Sequence, residues 1–188
     1  MKRNKIILGL IAADLAALHN AALDLEQGLR EISDKIAPYD LSEIIDLVGH
    51  INAVGYAPIE SMLREHRIKM PAADNTPAKM HELLAEARVR ATGAVQKRMG
   101  IASALSIVRR AARYMEMYCS STAETAVRLQ LTELTTYLRA WAREWIGLEV
   151  TLNAAASTYL PATAETRSRF SVPNILRSLA PSSNFAAA

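Results

Sequence analysis

Glu26, Glu116, Glu144 and Glu149 are the carboxylates whose spacing along long helices could give one metal ligand per helix. A di-iron or di-manganese centre in a helical bundle asks for more. It takes a Glu from each of two helices and a Glu-x-x-His pair from each of the other two, all pointing inward. No Glu of this chain has a His three residues after it. Asp46 and His50 stand one helical turn apart, but two ligands do not make a site. No metal and no other cofactor is therefore assigned, and these carboxylates read as solvated helix faces. His19, His66 and His81 belong to separate helical segments, and none stands with a Ser or Cys as a base stands with its nucleophile. Cys119 falls on an apolar stripe and reads as a small core residue. The glycines are scattered singly, so there is no phosphate-binding loop. No catalytic residue is assigned, and the chain reads as non-enzymatic.

The second chemistry on offer is anion binding. Arg88, Arg90, Lys97, Arg98, Arg109, Arg110 and Arg113 follow one another with no acidic residue between Glu86 and Glu116. Arg109 and Arg113 are one turn apart with Arg110 beside them, a strip that could hold phosphates through forked guanidinium donors. Specific nucleic-acid binding usually adds a recognisable module or stacking aromatics, and only Tyr114 and Tyr118 are near. Nucleic acid is thus a possible partner and not the favoured one. The plainer expectation is a solvated face balanced by acidic residues of the first two helices.

What must position all these groups is a set of long helices. Hydrophobic residues make up 51% of the 188, charged residues 22% and aromatics 5%, which suits a globular domain of closely packed helices. The series Leu8, Ile11, Leu15, Leu18, Ala22, Leu25, Leu29, Ile32, Ile36 steps by threes and fours, keeping one stripe of a helix toward a partner. Val127, Leu131, Leu134, Leu138, Trp141, Trp145, Leu148 and Leu152 repeat the pattern. Trp141 and Trp145 are accordingly core residues, provided each indole N–H finds a partner, with the Ala-rich third helix giving them room.

The expected fold is all-α, an antiparallel up-down-up-down bundle of four long helices (1–160) with an extended C-terminal arm (161–188). Helix one spans about Lys5–Ile36. Helix two starts at Leu41, with Asp40 as its cap, and kinks or restarts at Gly55 and Pro58 before ending near Lys69. Thr76 and Pro77 open helix three. Its apolar positions run in phase from Met80 through Ile101, Leu105, Val108, Ala112 and Met115 to Cys119. The spacing therefore predicts one rod bent near Gly100, the alternative being two helices of coincident phase. Ser121 and Glu124 form a capping box for helix four, Thr122–Ala156. Lys2, Arg3 and Lys5 before an apolar run imitate a signal peptide, but Asp14 and the continuing periodicity predict a structural helix instead. No stretch is apolar enough for a membrane span.

The segment Pro161–Ala188 is rich in Ser, Pro and Ala, yet it holds both phenylalanines, Phe170 and Phe185. Ser171 could cap a short amphipathic piece that carries Val172, Ile175, Leu176 and Leu179. Apolar anchors on such a segment suit docking into a groove. The sequence therefore reads as a non-enzymatic assembly protein whose arm docks on a neighbouring subunit, a copy of itself or another component, as in virions and shells. A degenerate ferritin-like metal bundle and a nucleic-acid-contacting bundle are the alternatives. The lone Cys119 fits a reducing compartment, cytoplasmic or within an assembled particle.

Overall fold

The computed structural model describes residues 2–35, 41–65, 67, 77–93 and 97–159. All regular structure there is helical. Five helices follow one another: α1 (Lys2–Lys35), α2 (Ser42–Glu65), α3 (Ala78–Gly93), α4 (Lys97–Arg128) and α5 (Thr132–Tyr159). Among the described residues no strand occurs, and no helix is long and apolar enough to cross a membrane. The arm, 161–188, and the expected caps Asp40 and Thr76 lie outside the described residues.

The heptad stripes do bury. Ile11, Leu15, Leu18, Ala22, Leu25, Leu29 and Ile32 of α1 are all inaccessible, as are Leu134, Leu138, Trp141, Trp145, Leu148 and Leu152 of α5. They join the buried faces of α2, α3 and α4 in one apolar core. Each fully buried Leu or Ile contributes about 1.5–3 kcal/mol relative to exposure, so the stripes and not helix propensity hold the rods together.

Two boundaries differ from expectation. The continuous third rod is instead two helices folded against each other. Arg110 of α4 reaches back to Glu86 of α3 at 3.0 Å, a contact that residues 24 apart on a single straight helix cannot make. α3 stops at Gly93, whereas Gly100 is buried in the first turn of α4. The apolar phase was continuous because both helices carry the same spacing against shared neighbours. The expected four rods therefore become five helices among the described residues.

The capping box at Ser121 and Glu124 is the second correction, for both residues sit within α4. Local hydroxyls bond back along the helix instead: Thr122 Oγ1 donates to the Tyr118 carbonyl (3.0 Å) and Thr125 Oγ1 to that of Ser121 (3.2 Å). The turn comes later. Gln130 takes a left-handed conformation (φ 60°), its N–H bonds the Val127 carbonyl and the Leu131 N–H bonds that of Ala126. This pair of bonds is a Schellman ending, and Leu131 closes it by packing on the core. Val127, counted with the fourth rod, thus belongs to α4 and is 43% exposed.

Cross-helix pairs give relative directions. Arg109–Asn153, Arg113–Glu149 and Glu124–Arg139 rise along α4 as they fall along α5, so these two run antiparallel. Asp24–His81 and Glu31–Arg88 rise together, so α1 and α3 are parallel. α1 packs on α2, α3 and α4, α5 packs on α4 and α2, and α3 packs on α1 and α4.

Glycine is the residue that adopts the Gln130 conformation without steric cost. Gln130→Gly is expected to raise stability by about 0.5–1 kcal/mol in urea unfolding. An unchanged or lower midpoint would contradict the left-handed ending of α4.

Candidate functional site

The most specific junction in the body is where α5 meets α2. Gly55, read from sequence as an interruption, lies inside a continuous α2 and is buried. A Cβ built on it would collide with Cδ1, Cγ and Nε1 of Trp141. The indole therefore lies flat against bare helix backbone, and it is α2 that makes room for it. The expected third rod comprises both α3 and α4: among the described residues α3 makes no contact with α5, whereas α4, with Ala104, Ala111 and Ala112 buried, packs along it.

Pro58 belongs to the same notch. Lacking an N–H, it frees the carbonyl of Val54 from its helical bond. Val54, Pro58 and Trp141 all line a cavity of about 10 Å³, the size of one water molecule. The indole N–H groups of Trp141 and Trp145 are buried and have no protein partner. No described protein group meets the proviso that each indole N–H find a partner. Such a donor costs about 1–3 kcal/mol unless solvated, so a single bridging water suits Trp141 well.

A polar pair adjoins the notch. His19 Nδ1 bonds Oδ1 of the buried Asn52 at 3.0 Å, linking α1 to α2. The His19 ring stacks on Tyr56 at 3.8 Å between centroids, and Tyr56 in turn lies 6.5 Å from Trp141. Sequence reasoning set His19 aside and did not single out Asn52. The signal was present: Val48, Asn52, Gly55 and Ile59 keep the three-four spacing, which places Asn52 on the buried face. A polar pair there fixes register between two helices whose other contacts are greasy and interchangeable. It offers no nucleophile.

The basic strip does not gather into one surface. Arg88 pairs with Glu31 of α1 at 2.7 Å, and Arg90 and Arg110 share Glu86 of α3 at 3.8 and 3.0 Å. Arg113 bridges Glu116 and Glu149 of α5 at 3.1 and 3.9 Å, and Arg109 donates to Asn153 at 2.7 Å. Arg98 also has a partner, and the Lys97 side chain lies outside the described residues. The balancing carboxylates thus stand on α1 (Glu31), as expected of the first two helices, but also on α3, α4 and α5.

Of the carboxylates considered as ligands, Glu116 and Glu149 are both engaged by Arg113. Glu26 holds Arg30 and Glu116 accepts from Ser120 at 3.0 Å, while Glu144 borders the cavity at Trp141. Asp46 and His50 are exposed. Among the described residues no three His, Cys, Asp or Glu side chains form a group that could hold a metal ion. Cys119 is buried, and burial first, then the nearby Glu116, pushes its thiol well above the ordinary range. It is a thiol held neutral, not a poised nucleophile.

An opening of ligand or peptide size lies on the described surface. It lies between α3 and α4, has a volume of about 720 Å³ and is lined by Ala85, Val89, Gly93, Met99, Gly100 and Ser103. Val89 and Met99 leave 67% and 49% of their surface exposed there. At its rim, Glu86 and Arg90 are already engaged with each other. Its chemistry is apolar and open to water, the pattern of a contact surface more than of a reaction site.

No family model, curated protein or solved structure matches this chain.

Two measurements follow. Helix propensity alone makes Gly→Ala stabilising by up to about 1 kcal/mol. Gly55→Ala is expected to destabilise by about 1–3 kcal/mol, because the methyl meets the Trp141 ring. A stabilised variant in urea unfolding would refute the notch. The second concerns Tyr118, whose hydroxyl donates to Asp14 at 3.1 Å and joins α4 to α1. Burial chiefly, then the Asp14 charge and this bond, push its pKa from 10.0 to about 12. The folded chain holds this proton longer than the unfolded chain. The stabilisation is therefore complete below pH 10 and is lost as pH rises toward 12. Tyr118→Phe should flatten that alkaline decline, and a wild-type phenol titrating near its ordinary value would contradict the contact.

Proposed function

We propose that this protein is a non-enzymatic helical assembly subunit. The body is an up-down bundle in which successive helices alternate in direction, and the segment 161–188 reaches onto a neighbouring subunit. The observation that carries this reading is the apolar groove between α3 and α4, left open to water by the described helices. A surface of exposed Val and Met around a cleft finds its use in contact with another apolar surface. Phe170, Val172, Ile175, Leu176, Leu179 and Phe185 supply one of matching character within the same chain. A place in a virion, shell or comparable particle suits such a subunit by analogy of construction.

The arginines of the basic strip weigh little in this reading. Their guanidinium groups have carboxylate or amide partners, which a phosphate would have to displace. The carboxylates likewise lend no support to a metal-binding bundle.

Deletion of residues 161–188, followed by light scattering on the purified chain, tests the proposal. The full chain is expected to form oligomers and the shortened chain to be a helical monomer. An oligomeric state unaffected by the deletion would remove the reading.

A further inference from the structure

We propose that the α3–α4 groove is the receptor for the segment 170–185 of a second copy of this chain. The inference rests on the assembly reading above and adds the surface on which the arm docks.

Position supports it first. The α4–α5 contacts keep step, so Tyr159, six residues beyond Asn153, lies level with Ser103, six before Arg109. The α3–α4 contact places Gly93, seven beyond Glu86, level with the same Ser103, seven before Arg110. Gly93 and Ser103 both line the groove. The last described turn of α5 and the groove thus share one end of the body. Residues 160–169, fully extended, span about 33 Å, enough to carry Phe170 well past the 10–12 Å width of a helix.

Helix packing allows the exchange. α5 packs on α4 and α2, α3 packs on α4 and α1, and among the described residues α3 and α5 do not touch. The groove of the same chain therefore lies around α4 from the point where α5 stops. Two copies meeting through this end about a two-fold axis would each present an arm to the other's groove. Such an exchange is self-complementary and closes with two arms and two grooves filled.

Chemistry supports it last. The rim charges Glu86, Arg90 and Arg110 are paired among themselves, so the groove asks for apolar side chains, not for a charged ligand. The arm offers four aliphatic residues at helical spacings, Val172, Ile175, Leu176 and Leu179, flanked by Phe170 and Phe185, apolar anchors suited to a groove.

The test uses full-length chains in a Cys119→Ala background. One population carries Val89→Cys and the other, with a distinguishing tag, carries Phe170→Cys. Oxidation of the mixture is expected to yield a disulfide-linked heterodimer, at least tenfold over either population oxidised alone. Separately, Val89→Arg and Met99→Arg, both at exposed positions, are expected to halve the mass in solution while keeping the helical circular dichroism signal. If deletion of 161–188 lowers the mass but the arginine variants and the cross-link do not respond, the groove is the wrong surface and the assembly reading survives. A disulfide that forms only when both cysteines are in one chain would show the arm folding onto its own body and overturn the exchange. A mass indifferent to the deletion would overturn both readings.

Discussion

The indole of Trp141 lying on the bare backbone of Gly55 is the contact on which the arrangement of helices turns. α2 touches only α1 and α5 among the described elements, so its place depends on two seams. The seam to α1 carries a polar lock, His19 to Asn52, which sets register. The seam to α5 carries the tryptophan, which sets distance: a helix approaches another this closely only where one side has no side chain. Pro58 fits the same logic. Its missing N–H costs a helical bond, and Pro58 and Val54 border the same small cavity as Trp141. Two local defects of α2, a glycine and a proline, together form a socket.

Charge is organised to serve packing. Glu31, Glu86 and Glu149 each hold an arginine from another helix, so ion pairs lace the outer edges of the α1–α3, α3–α4 and α4–α5 seams. Exposed pairs of this kind contribute little stability, about 0–1 kcal/mol each. Their effect is on specificity, since each pair joins two helices at one relative position. The apolar stripes supply the cohesion, while the polar pairs choose among packings that the stripes alone would leave nearly equal. Among the apolar side chains left exposed are Val89 and Met99 at the α3–α4 groove.

The interior of this fold was legible in the sequence because burial leaves a periodic mark. Leu15, Leu25 and Leu29, or Leu138, Trp141 and Trp145, could be assigned to the core from spacing alone. The ends of helices were less legible, because their signals depend on conformation more than on residue type. Gly100 was the expected bend of one rod, yet it lies in the first turn of α4, and Gly93 ends α3. Gln130 takes the left-handed turn that glycine usually marks. Ser121 and Glu124 have a capping composition inside a helix that simply continues. Of the candidate surfaces, the arginines were visible one by one, but their partners on other helices were not. His19 and Asn52 are 33 positions apart and meet only through the α1–α2 packing. Gly55 was noticed as an interruption because its function, receiving Trp141, exists only in three dimensions.

The central claim is that Gly55 and Trp141 are complementary shapes, and a double-mutant cycle on Gly55→Ala and Trp141→Leu tests it directly. With the large ring gone, the added methyl has space and brings its helix propensity. Urea unfolding should then show a favourable coupling of at least about 1 kcal/mol, the methyl being harmful beside the indole and harmless beside the smaller leucine side chain. Additive costs, with a coupling near zero, would mean that the two residues do not meet and that α2 and α5 pack in some other way.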